Sequence, residues 1–330
     1  MTSPPHRLGR PDTPESRARW LYETGGLSAE EIGWRLGLSV VRVNALLEAG
    51  MAQAVALPGG ANGARLMRQL SQELRDTFGL RAVHLAPLGP GEGDPRPALA
   101  ATAARWLTRL VQSHAAPKIV GLTHGRTLAA MARQLPEIRA PGLRFVSLAG
   151  DLTPAHTAYP HAVMNHLAQR FGAQAFPLPV TLYVSSPEER AELMALPMVA
   201  RVIALMQEAD LWVVGIGGVS AEHQLIRTGM LPQSGLEELA GLGAECEVLG
   251  RFFDGEGREL ETRLARCTLS PEPKEFSRHR LVALAGGAAK VGPIRAALRG
   301  GLVQELITDS HTAVALLAPE ARGKYALLIE

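Results

Sequence analysis

The chain is short of cysteine, of lysine, of net charge and of long apolar runs, and each scarcity narrows what it can be. Its 330 residues hold two cysteines, Cys246 and Cys267. Two cannot build a disulfide framework, and neither sits in a zinc-ligand spacing. No apolar run approaches the ~20 residues that a membrane-spanning helix needs. Residues 1–19 are polar and proline-rich, without the apolar stretch of a secretory signal, so a cytoplasmic location is expected. A net charge of +2 argues against a polybasic nucleic-acid wrapper. Lysine is represented only by Lys118, Lys274, Lys290 and Lys324. Base-composition bias accounts for the arginine excess, and a lysine kept inside a motif is then less easily dismissed. What is present is ordinary for a globular protein: 46% hydrophobic and 20% charged residues. The length suits two domains, or one large α/β domain with an appendage.

Residues 1–16 carry four prolines and no periodicity, and read as a disordered tail. Residues 17–57 show a short helical pattern. A glycine-dense joint follows at 58–65, beginning Pro58-Gly59-Gly60-Ala61-Asn62-Gly63. From 66 to 330 short apolar strands alternate with amphipathic helices. Expected strands are 80–85, 118–123, 143–148, 180–184, 211–216, 281–285 and 305–308. Uninterrupted apolar strands alternating with helices predict a doubly wound α/β fold with a mostly parallel sheet. Ligands of such sheets bind outside the carboxyl ends of the strands, which directs attention to the loops 121–127, 150–157, 215–220 and 286–290.

Within 17–57, Ser28 and Glu31 have the spacing of a capping box. Ile32 and Leu36 form a core face, Gly37 a tight turn, and Ser39 caps a second helix with Val43, Leu46 and Leu47 inward. That is the layout of a helix-turn-helix, whose second helix enters the major groove; a plain αα-hairpin is the alternative. The candidate DNA contacts are Arg35, Ser39, Val40, Arg42 and Asn44. Six arginines balance six acids over residues 1–57, so useful affinity requires several copies on one DNA.

The loop 121–127 lies between an apolar strand and a helix. Gly125 permits close approach, while Thr123, Arg126 and Thr127 offer donors beside a helix N-terminus, a combination suited to phosphate. A surface Arg126 and a merely capping Thr127 are the plainer alternative. Lys290 follows Gly286-Gly287 on a first helical turn, where the dipole disfavours a cation unless an anion joins it; a solvated lysine is again the alternative. Asp254-Gly255 reads as a turn and Asp309 as a helix cap. His156 and His161 stand in or beside a candidate loop. Gly215-Ile216-Gly217-Gly218 lacks the spacing of a dinucleotide fingerprint, and no metal set or nucleophile motif is found. The stripe Met194, Leu196, Met198, Val199 is core or interface.

Several segments in order resemble the SorC/DeoR-like family of bacterial sugar-responsive transcriptional regulators. They are the helical unit at 20–47; Ile119-Val120-Gly121-Leu122-Thr123-His124-Gly125-Arg126-Thr127-Leu128; Phe176-Pro177-Leu178-Pro179; Gly215-Ile216-Gly217-Gly218; Arg251-Phe252-Phe253-Asp254; Ala285-Gly286-Gly287-Ala288-Ala289-Lys290; and Ile307-Thr308-Asp309-Ser310-His311-Thr312-Ala313. His124 stands where that family usually has an aromatic. The resemblance implies a winged-helix-like helix-turn-helix joined to a sheet domain of the phosphosugar-isomerase type. It further implies a phosphorylated-sugar effector held by Thr123, His124, Gly125, Arg126, Thr127, Glu247 and Lys290. In the family the lysine reaches phosphate and the acid meets sugar hydroxyls. A DNA operator, a homodimer or homotetramer, and no cofactor, metal or membrane complete that expectation. The fold type also includes phosphosugar isomerases and deaminases. No paired acid and base stands out here, so a regulator is expected rather than an enzyme, with a sensor that does not bind DNA as the other alternative.

Overall fold

The computed structural model describes residues 29–43, 46, 60–89, 93–150, 161–220 and 224–329. The chain divides into two compact units, Met1–Gly60 and Ala61–Glu330. The tail 1–16, Ser28, Leu47 and the segment 47–59 lie outside the described residues.

In the first unit, helix α1 spans Ala29–Leu36. Gly37 (φ 67) reverses the chain, and helix resumes at 40–43. Leu38 N–H donates to the Gly33 carbonyl at 2.9 Å. Ser39 Oγ accepts from Arg42 N–H at 3.2 Å, as a helix cap should. Ile32, Val43 and Leu46 form the buried core, with Ala29, Leu36 and Leu38 against it.

The second unit begins with α2, Gly60–Phe78. The expected joint at 58–65 is therefore too long, because helix runs through Gly60-Ala61-Asn62-Gly63. Low helix propensity there is overridden by the stripe that continues from Gly63 through Met67, Leu70 and Leu74, all buried.

Seven parallel strands form the main sheet: β1 Ala82–Ala86, β2 Ile119–Leu122, β3 Arg144–Ser147, β4 Gln174–Phe176, β5 Leu211–Val214, β9 Leu281–Leu284 and β10 Glu305–Asp309. Their spatial order is β1-β10-β9-β5-β2-β3-β4. Helices α3 (Arg96–Val111), α4 (Arg126–Gln134) and α5 (His161–Phe171) cover one face. There Leu99, Leu107, Leu128, Met131 and Leu167 meet Val120, Phe145, Val213 and Leu284 in a continuous core. On the other face Trp212 is buried, donates through Nε1 to the Met206 carbonyl at 3.2 Å, and stacks on His279 at 4.0 Å. Met206 belongs to α7 (Pro197–Gln207), which follows α6 (Pro187–Ala195). Gly121 leaves room for this packing: a Cβ there would lie 2.5 Å from Leu148 Cδ2 and 2.8 Å from Trp212 Cδ1.

The succession reverses between β2 and β5. From β2 the chain proceeds to β3 and β4; from β5 it proceeds the other way, to β9 and β10. This is the switch point at which open α/β sheets hold ligands.

Two expectations are corrected. Residues 180–184 are no sheet strand, and the outer strand is the shorter β4. Leu182 and Val184 instead bond to Leu269 and Cys267, so that run is held by its own side connection. A second sheet, antiparallel and unforeseen, joins β6 (Gly217–Gly218), β7 (Cys246–Val248) and β8 (Arg251–Phe253). Helix α8 (Gln233–Gly241) lies between β6 and β7. Helices α9 (Val291–Arg299) and α10 (Ser310–Leu316) end the α/β succession. The stripe at 194–199 divides: Val199 is buried, Leu196 and Met198 are exposed. Among the described residues no helix is long and apolar enough to cross a membrane.

Candidate functional site

Over the carboxyl ends of β2, β5 and β9 opens a cleft of about 710 Å³. Three chain segments build it. After β2, Thr123 crosses the switch point: its N–H donates to the Val213 carbonyl at 3.3 Å, and its Oγ1 accepts from Gly215 N–H at 3.4 Å. His124 and Gly125 follow, and α4 opens directly with Arg126 and Thr127, without a side-chain cap. The first amides of α4 thus stand beside the cleft.

After β9 the chain turns at Gly286-Gly287 into a short 3₁₀ turn, Ala288–Lys290. Asp309, at the end of β10, fixes this turn. Its Oδ2 accepts from Gly287 N–H at 3.0 Å and from Thr312 Oγ1 at 2.7 Å, and its Oδ1 accepts from Thr312 N–H at 2.8 Å. The cap expected of Asp309 is what the carboxylate does. Lys290 Nζ, half-buried, donates to the Ile216 carbonyl at 2.6 Å. Burial holds its ammonium below the usual lysine range. Glu247 works against that shift, and the charges of Arg126 and Arg96 add to it.

The third wall is the β7–β8 hairpin. Leu249 (φ 58) and Gly250 (φ 76) form its two-residue turn, both in the left-handed region. Leu249 is buried, a strained choice at the edge of the cleft. Glu247 Oε1 accepts from Gly250 N–H at 2.5 Å, and Tyr183 Oη donates to the Gly250 carbonyl at 2.7 Å. Burial raises the Tyr183 hydroxyl well above the usual tyrosine range, and Glu247 adds to the effect. Cys246, next to Glu247, is likewise pushed by burial to about 12 and is no thiolate nucleophile.

Thr123, His124, Gly125, Arg126, Thr127, Glu247 and Lys290 all line this one cleft. Asp254 lies outside it and caps its own turn, accepting from Glu256 and Arg258 amides at 2.9 and 3.0 Å. His156 and the His161 side chain fall outside the described residues. Sequence reasoning missed Asp94, Arg96, Glu245 and Leu249, which also line the cleft. Arg96 binds Asp94 through Nη2 at 2.7 Å, and this guanidinium holds the Asp94 carboxyl below the usual range. The available signal was Asp94-Pro95-Arg96, a helix opening just beyond the end of β1.

In the first unit, Arg35, Ser39, Val40 and Arg42 are exposed around the turn and the start of the second helix; Asn44 lies outside the described residues. Trp34, on the same helix as Arg35, is 87% exposed.

The model of a family described as "Putative sugar-binding domain" matches residues 64–318. The chain belongs to this sugar-binding family. Its homologues in the family are transcriptional regulators of the SorC/DeoR type. It is 37% identical to the erythritol catabolism regulatory protein EryD of Brucella abortus, over 93% of this chain and 97% of that protein. It is 29% identical to the transcriptional regulator LsrR of an Enterobacter species, over 92% of each. Among solved structures, the full-length sorbitol operon regulator SorC of Klebsiella pneumoniae superposes with a TM-score of 0.67 at 21% identity, covering 92% of this chain and 98% of that one. A Streptococcus pneumoniae regulator superposes at 0.70 and 22%, over 79% and 99%. These likenesses show that the sugar-binding family shares this α/β fold. The relatives are named as regulators, not as enzymes, in keeping with the reading of the sequence.

Proposed function

We propose that the chain is a cytoplasmic, DNA-binding transcriptional regulator of carbohydrate metabolism whose effector is a phosphorylated sugar or polyol. One observation carries the effector class. Arg126, Lys290 and the opening amides of α4 face a single cleft at the switch point of the sheet. Amides at a helix start and two cations suit a phosphate group. Glu247, a carboxylate on the opposite wall, suits vicinal hydroxyls. The Brucella relative is named for erythritol catabolism, which brings short polyols and their phosphates to the front of the candidates.

The DNA element in this reading is a helix-turn-helix built from α1, the turn at Gly37 and the helix capped by Ser39, with Arg35 and Arg42 toward DNA. The assembly is a homodimer or homotetramer joined through the sugar-binding domains. Effector acts by binding one arrangement of those domains better than another.

The experiment pairs two variants. Thermal-shift titration with tetritol, pentose and hexose phosphates, each beside its unphosphorylated parent, identifies the class. Lys290→Gln weakens binding of the phosphorylated member by about 10- to 100-fold and leaves DNA binding in place. Arg42→Ala removes binding to a duplex selected by the full chain and leaves the thermal shift in place. Equal stabilisation by phosphorylated and unphosphorylated ligands would sink the phosphate assignment. A sensor without DNA binding is favoured by exposed Val40 and Val41, which form no hydrogen bond to a base edge. It gains ground if Arg42→Ala changes nothing.

A further inference from the structure

The charge of the chain is unevenly laid out. Residues 97–177 hold eight lysines and arginines against two acids, Glu137 and Asp151, whereas 178–262 hold fourteen acids against five bases. The basic stretch is the α3–β2–α4–β3–α5–β4 half of the sheet. Helices in this fold run antiparallel to the strands they join, so their last turns gather at the amino edge, opposite the cleft. Each last turn carries an arginine: Arg109 in α3, Arg133 in α4, Arg170 in α5.

A cation at a helix C-terminus is accounted for by the helix dipole. The dipole does not account for Lys118, Arg139 and Arg144, which stand in the segments entering β2 and β3. Backbone bonds bring these segments together. Arg144 N–H donates to the Lys118 carbonyl at 2.9 Å, Ile138 N–H to the Arg170 carbonyl at 2.9 Å, and Ala140 N–H to the Phe171 carbonyl at 2.8 Å. Lys118 and Arg139 are exposed. Three bordering acids, Glu137, Glu208 and Asp210, stand against six cations, Arg109, Lys118, Arg133, Arg139, Arg144 and Arg170. Glu137 is 85% exposed and 3.7 Å from Arg170. Asp210 Oδ2 accepts from the amides of Lys118 and Ile119, at 2.7 and 3.0 Å, and keeps one negative charge at the rim. Glu208 adjoins Asp210, on the β5 side of β2. Farther up the same helix layer, the neighbouring charges of Arg170 and Arg133 help hold His166 below the usual histidine range, after burial.

We propose that this basic rim at the amino edge of β2, β3 and β4 binds the phosphate backbone of duplex DNA through sequence-independent contacts. Charge complementarity selects the occupant: several guanidinium and ammonium groups gathered at one edge of the sheet fit a polyanion. The first unit, with balanced charge, supplies few such contacts. The inference rests on the regulator reading, so its test separates the two.

The full chain and its Lys118→Gln/Arg139→Gln double variant are titrated onto a labelled duplex of arbitrary sequence and onto one selected by the full chain, across 50–300 mM NaCl. Neither residue lines the cleft. The expected result is a fall of about 2 in the slope of log K against log salt on both duplexes, since each phosphate contact contributes about 0.9, with the effector thermal shift unchanged. An unchanged slope, while Arg42→Ala still abolishes preference for the selected duplex, overturns the rim and leaves the regulator standing. A changed sedimentation coefficient with an unchanged slope also overturns it and makes the rim a contact between copies. Rim-dependent binding to arbitrary duplex without any selectable sequence sustains the rim and removes the regulator. Failure of the unaltered chain to bind either duplex removes both.

Discussion

Space at Gly121 couples packing to the cleft. The residue faces Trp212 across the switch point and stands two positions before Thr123. Gly121→Ala is expected to cost about 1–3 kcal/mol, as overpacking of a filled core does, read as a shift in urea midpoint without a change in slope. The same push displaces the Thr123 loop, so under the proposed effector reading the affinity for a sugar phosphate should fall with it. Two histidines make stability fall in mild acid. Burial is the main reason that His84 and His166 lie below the usual 6.5, the Arg170 and Arg133 charges adding for His166. The unfolded chain therefore binds protons that the folded one refuses, between the lowered values and 6.5. Stability from these sites is whole above pH 6.5 and declines as pH falls through that window. Denaturant midpoints between pH 7.5 and 5 measure the slope, and His84→Gln should flatten it.

Two small elements hold recognition in place, and each can be tested separately. Ser39→Ala removes the cap of the second helix in the first unit and should cost that unit about 1 kcal/mol, seen as loss of duplex binding on warming before the α/β unit melts. Gly250→Ala places a side chain in the left-handed region, at about 1–2 kcal/mol, and sets its Cβ 2.9 Å from Leu182. The turn should open, freeing Glu247 from Gly250 N–H, so polyol-phosphate affinity drops more than stability does. The strands β2, β5 and β9 were legible because each is a fully buried apolar run followed by small or hydroxyl residues; β1, β3 and β10 were legible from apolar runs that also hold His84, Ser147 and Thr308. Two features were not. Val180-Thr181-Leu182 has strand composition, yet its partners come from 267–269, a pairing no local pattern announces. The β7–β8 hairpin hides inside an apolar stretch because its turn is Leu-Gly rather than Asn-Gly. Arg126, Glu247 and Lys290 could be listed from local chemistry and resemblance. Their meeting with Asp94 and Arg96 depends on strand order, which adjacency in the chain does not encode.

For the whole molecule, an average conceals a distribution: the net +2 spans a basic stretch at 97–177 and an acidic one at 178–262, with the rest of the chain mildly basic. The two units also differ in what holds them. The described core of the first is Ile32, Val43 and Leu46, whereas the second has layers on both faces of seven strands. Hydrogen exchange should show 29–46 opening well below the global free energy of the second unit, with β2, β5 and β9 exchanging last. Effector at 100 times its dissociation constant should slow exchange in the second unit by the equivalent of about 2.7 kcal/mol. Strand order also sets a timetable during translation. β1 is made well before its one sheet neighbour among the described residues, β10, residues Glu305–Asp309. β10 also provides Asp309, which fixes the turn leading to Lys290. A nascent chain that stops at residue 304 leaves β1 unpaired and the Gly286-Gly287 turn unanchored, and protease should cut it around 82–86, where the complete chain resists. The cleft therefore cannot take shape on the ribosome until β10 has emerged, however early its other walls are made.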